Sequence, residues 1–127
     1  MPQTAIHADE GRRTETPNAI MTTLASPSQG CTKQLSMWTV AMRDGQKGPS
    51  HIFDCEQIWH VLVGIVEINL ASKTVELTAG DTIVIPADIE RQVSARSDVR
   101  LVVCGRSDGI AAVPGDAGSR GVPPWIR

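Results

Sequence analysis

Between Leu35 and Cys104 the hydrophobic positions recur every second residue rather than every third or fourth. Ser36, Trp38, Val40 and Met42 alternate with Leu35, Met37, Thr39 and Ala41. Val66, Ile68 and Leu70 alternate with Glu67 and Asn69. A period of two sends successive side chains to opposite faces of a pleated strand, so these runs predict half-buried β-strands. Ala71-Ser72-Lys73 interrupts the pattern and Val75 and Leu77 resume it, which predicts a hairpin. Ala79-Gly80-Asp81 turns the chain again into Thr82-Ile83-Val84-Ile85, and residues 99–104 read as a last apolar strand. Residues 18–25 read as a first one. No window of a dozen residues carries a helical stripe. Roughly seven or eight short strands separated by turn signals predict an all-β fold, an antiparallel sandwich or barrel.

The two ends depart from this pattern. Residues 1–18 are polar, without periodicity, and are expected to form a flexible segment ahead of a barrel spanning 19–105. Residues 106–127 are rich in glycine and proline, which argues against a continuing sheet. They nevertheless finish on Pro123-Pro124-Trp125-Ile126, and an apolar pair at the end of a solvated tail predicts that this end docks through Trp125.

Composition narrows the function classes. The 127 residues suffice for one domain with a real core, and the net charge of −2 argues against a nucleic-acid surface. No apolar run approaches a membrane span, and the polar N-terminus lacks the apolar stretch of a signal peptide. Cys31, Cys55 and Cys104 are odd in number and far apart in sequence, which fits reduced thiols and a cytoplasmic location.

Candidate chemistry gathers in GPSHIFDCEQIWHVLVG, residues 48–64, where His51, Asp54, Cys55, Glu56, Gln57 and His60 interrupt an apolar strand. The spacing of glycines around it is informative. Gly45, His51, Phe53, Gln57 and Gly64 fall on the first motif of the cupin superfamily, G-x5-H-x-H-x3-E-x6-G. Gly80, Pro86, Asp88, Arg91 and Ala95 fall on the second, G-x5-P-x-G-x2-H-x3-N. Fifteen residues separate Gly64 from Gly80, as in compact single-domain cupins. The chain thus resembles the cupins over about residues 35 to 104, which implies an antiparallel jelly-roll β-barrel. In metal-binding cupins two histidines and a glutamate of the first motif and a histidine of the second are ligands. Here those positions hold His51, Phe53, Gln57 and Arg91. Phe cannot ligate, Gln is a weak neutral ligand, and Arg is a fixed cation, so no cofactor is expected.

Two strand registers remain open, since a slip of one residue exchanges the faces. The family register turns Gln57, Trp59 and Val61 inward. The slipped one turns Glu56 and His60 inward, and with His51 these would make a three-ligand metal site. In the family register His51 is an acid/base candidate and Arg91 and Gln57 are candidate oxyanion binders, while Phe53, Trp59, Trp38, Val61 and Val93 line a ligand cavity. For the apolar residues plain core packing is the competing role. Arg91 has the alternative of an ion pair with Asp88, Glu90 or Asp54. The expectation is a metal-independent enzyme of isomerase, cyclase or dehydratase type, for which the resemblance to small single-domain cupins implies secondary metabolism, acting on a small anionic or carbonyl-containing molecule. The alternatives are a non-catalytic ligand-binding protein and a metalloenzyme with unorthodox ligands. A homodimer is expected, paired through the N-terminal strand.

Overall fold

The computed structural model describes residues 4–115 and 119–127, and within them the regular secondary structure is strand apart from one short helical turn. One turn of 3-10 helix, Ala8–Glu10, precedes β1 Arg12–Glu15, β2 Ile20–Ala25, β3 Leu35–Met42 and β4 Ile52–Phe53. Then follow β5 Gln57–Val63, β6 Ile65–Leu70, β7 Lys73–Thr78, β8 Thr82–Ile85, β9 Arg91–Ala95 and β10 Val99–Arg106. Two short strands close the chain, β11 Ala111–Ala112 and β12 Ser119–Gly121. Among the described residues no helix is long and apolar enough to cross a membrane.

All named pairings are antiparallel. One layer is a six-stranded sheet in the order β1-β2-β3-β10-β5-β8. The facing strands form two small sheets, β7-β6-β9 and β12-β11-β4. A bridge between His51 and Arg91 joins these two, with N–H to O distances of 3.0 and 2.9 Å. The result is the antiparallel jelly roll that the resemblance to the cupins implies, and one of the architectures that the alternation predicts. The hairpin also falls as expected: β6 and β7 pair from Leu70↔Lys73 to Ile65↔Thr78.

The register resolves in favour of inward Gln57. Along β5, Gln57, Trp59 and Val61 are buried, while Ile58 and Leu62 are exposed and His60 is half-buried. Gly64 fixes the turn into β6. Its φ is +89°, and a Cβ there would lie 2.0 Å from the carbonyl oxygen of Asp98, so any larger residue must displace backbone.

Both ends differ from expectation. Residues 12–15, expected to lie in a flexible segment, form edge strand β1 on β2. The tail, expected to lie outside any sheet, supplies β11 and β12. Glycine and proline shorten these strands without preventing them, because a two- or three-residue strand on a sheet edge needs few ladder bonds. The last residues then run back over β2 and β3. Thr23 Oγ1 donates to the Trp125 carbonyl at 2.7 Å, Ser36 Oγ to that of Ile126 at 2.5 Å, and Ser26 Oγ to that of Arg127 at 2.8 Å. Ile126 is fully buried in the core with Met21, Trp38, Val61, Leu101 and Val103.

Candidate functional site

The two layers do not fill the space between them. A cavity of about 480 Å³ remains, walled by Trp38 and Val40 of β3, Trp59 of β5, Val93 of β9 and Leu101 and Val103 of β10. Met21, Met42, Phe53 and Ala111 add to this apolar surface. Thr16, Asn18, Ala19, Gly48 and Pro49, with Val113, Pro123, Pro124 and Trp125 from the C-terminal part of the chain, complete the lining. The volume suits a small organic molecule. Another depression, of about 380 Å³, lies over Lys33, Leu35, Arg106 and Asp108 on the surface, where Arg106 and Asp108 already pair with each other.

Two side chains carry polar chemistry to the cavity wall from the candidate stretch. His51 is one. Its Nδ1 lies 3.0 Å from the carbonyl oxygen of Pro49, which can only accept. Nδ1 therefore carries the proton, and Nε2 is left with a lone pair. Burial pushes the imidazole pKa below its usual value; the Pro49 hydrogen bond opposes this and the charge of Arg91 adds to it. Near neutral pH the ring is thus an uncharged base. Gln57 is the other. Trp59 Nε1 donates to its Oε1 at 3.0 Å, and an indole N–H is only a donor, so the amide orientation is fixed. The Gln57 NH2 group remains as a donor beside the cavity. A hydrogen-bond acceptor and a hydrogen-bond donor thus share an otherwise apolar chamber.

Arg91 does not occupy the position expected of it. It is fully buried, yet Phe53, and not Arg91, is on the cavity wall. The Arg91 guanidinium lies over the Phe53 ring, 5.5 Å from its centroid, and the His51 ring meets Phe53 edge-on at 5.1 Å and 74°. The cause is the register. His51 and Arg91 are direct cross-strand partners and Phe53 is two residues from His51, so all three share one face. The ion pair with Asp88, Glu90 or Asp54 is not formed either: among the described residues the ion pairs are Arg96–Glu67 and Arg106–Asp108. Arg91 Nε donates to the Ile89 carbonyl at 3.0 Å and Nη2 to that of Pro86 at 3.1 Å, while Nη1 is buried without a partner. Burial lowers its pKa to about 10, and Cys55 and Asp88 partly offset that.

The remaining candidates divide. Trp38, Phe53, Trp59 and Val93 line the cavity as expected of wall residues. Val61 is fully buried in the core but is not on the wall. Met21, Leu101, Val103 and Trp125 were not among the expected wall residues. The alternation along β10 carries the signal for Leu101 and Val103, whereas nothing local marks Met21. The slipped metal site is not assembled: Glu56 is exposed, and His60 Nδ1 sits 2.7 Å from Thr82 Oγ1 on the outer face of the sheet. Among the described residues no three His, Cys, Asp or Glu side chains converge on one point. The donor set at the family's metal position does not fit a metal either, since it offers one imidazole, one amide, a phenyl ring and a guanidinium. Cys55 is buried, its thiol pKa raised by that burial, so it is not an activated nucleophile.

Comparisons with known proteins agree on the fold. A family model described as the cupin domain matches residues 38–104. No curated protein matches the chain. Among solved structures, an RmlC-like cupin from Shewanella frigidimarina superposes with a TM-score of 0.71 at 16% identity, over 82% of this chain and 90% of that one. KdgF from Halomonas sp. gives 0.68 at 21%, over 79% and 89%. Salicylate 1,2-dioxygenase from Pseudoaminobacter salicylatoxidans, with gentisate, gives 0.71 at 17%, over 83% of this chain and 31% of that one.

Proposed function

The chain belongs to the cupin domain family, and from that premise we propose that it is a metal-independent enzyme acting on a small, largely apolar molecule that bears a carbonyl group. The single observation that carries this reading is the pair of polar groups on the wall of the apolar cavity: a neutral His51 with Nε2 free and a Gln57 whose NH2 is free. Such a pair suits proton transfer next to a carbonyl. His51 Nε2 takes a proton from the carbon next to the carbonyl, the C–H electron pair forms a C=C bond to the carbonyl carbon, and the C=O π pair moves onto the oxygen to give an enolate. Gln57 donates to that oxygen as its charge develops. The imidazolium then returns the proton to a different atom, which isomerises the substrate or allows ring closure or loss of water. No oxidant is consumed and no metal is called on.

A binding module with the same cavity is the competing reading, and one experiment separates the two. A panel of cyclic and aromatic ketones is incubated with the protein in D2O, and exchange of the protons beside the carbonyl is followed by NMR. At least one ketone is expected to exchange with the wild type and not with His51→Ala, while still binding to that variant. Saturable binding with no exchange by either protein would establish the binding module instead.

A further inference from the structure

We propose that the Arg91 guanidinium is a closed seat for a carboxylate, with Phe53 as the shutter between it and the cavity. This rests on the reading of the cavity as a small-molecule site and names a feature of the ligand. Three observations converge. Arg91 is fully buried and makes no ion pair among the described residues, a costly state for a fixed cation. Two of its three nitrogens are held by the carbonyls of Ile89 and Pro86, and the third, Nη1, has a buried N–H group with no acceptor. A buried orphan donor asks for an explanation, and a ligand oxygen supplies one. Finally, the group covering the guanidinium is a phenyl face, whose π-electrons are a weak substitute for an anion, and that same phenyl lines the cavity.

The two backbone anchors hold the guanidinium plane fixed whatever Phe53 does. A carboxylate carried on an apolar body into the cavity would need only the Phe53 side chain to rotate. Its oxygen would then accept from Nη1, and the His51 ring, edge-on to Phe53, borders the vacated space. Asp88, the carboxylate whose charge acts on Arg91, is exposed and makes no bond to it, so it does not compete for the seat.

The probe is benzoate, compared with benzyl alcohol as a neutral molecule of nearly the same shape, near neutral pH by calorimetry. The wild type is expected to prefer benzoate by about tenfold, the scale of one charge-assisted hydrogen bond. Phe53→Leu, a smaller shutter, should widen that preference. Arg91→Met should bind both equally; it replaces a buried charge with an apolar side chain of similar length, which cores tolerate. Equal affinity for the two compounds in the wild type and in Phe53→Leu would overturn the seat while leaving the neutral cavity ligand intact. Failure of both compounds to bind any of the three proteins would overturn the seat together with the cavity reading.

Discussion

His51 is tuned by its surroundings to be uncharged, and this makes it a pH-dependent element of stability as well as a base. Unfolded, the imidazole titrates near 6.5; folded, burial and the charge of Arg91 push it lower. Below 6.5 the unfolded chain therefore binds more protons at this residue than the folded one. The stability it contributes is complete above that pH and is lost as the pH falls towards the folded value. Urea unfolding at about pH 7.5 and about pH 5.5 should show a larger loss of stability on acidification for the wild type than for His51→Gln. Equal losses would show that the folded imidazole is not held neutral. At this scale the backbone requirements were the most legible part of the sequence. Gly45, Gly64 and Gly80, read as punctuation, all have positive φ, and Asp88, standing where the family has glycine, has φ of +65° too. What was not legible was depth. The sequence places Arg91 on the inward face but has no term for Phe53 lying between it and the cavity, because their contact is a diagonal across two strands that are remote in sequence.

Among the elements, those with strict alternation are legible in the sequence, and the short ones near the ends are not. The apolar residues of β5 fall on both parities, Ile58 and Leu62 as well as Trp59 and Val61, so its register is legible only through Gly64 and the family spacing. β1 leaves no signal in the sequence because Arg-Arg-Thr-Glu has no apolar face; it exists through its ladder with β2 and through Arg12, which donates to the carbonyls of Pro124 and Arg127 at 2.9 and 2.6 Å. β11 and β12 are too short to show any period. The docking of Trp125 and Ile126 followed from hydrophobicity alone, but that the tail builds one wall of the cavity did not. Ile126→Ala, which empties a fully buried site, should cost about 3 kcal/mol in urea unfolding, in the range for large-to-small core substitutions. An unchanged midpoint would mean that the tail adds nothing to the fold and only rests upon it.

For the whole molecule, the open question is what covers the edge of the six-stranded sheet. β1 lies at that edge, so among the described residues one side of its backbone has no strand partner, a position that proteins usually protect. The exposed face of the same sheet carries a cross-strand row of Met37, Cys104, Ile58 and Val84, of which Met37, Ile58 and Val84 are 41%, 47% and 57% exposed. A second copy is the simplest cover, because two β1 edges related by a two-fold axis run antiparallel and extend the sheet through both subunits. The protein is therefore expected to sediment as a homodimer at micromolar concentration. Removal of residues 1–26 would be a poor test, since it also takes Met21 from the core and the Thr23 and Ser26 hydroxyls that hold the tail. Removal of residues 1–15 costs the tail its Arg12 hydrogen bonds but spares β2, Met21 and the Thr23 and Ser26 hydroxyls, and it should shift the equilibrium towards monomer with the far-ultraviolet spectrum retained. Sedimentation of the full chain at the mass of a single copy would refute the dimer, and an unweakened dimer after the shorter truncation would move the interface from the β1 edge to the apolar face.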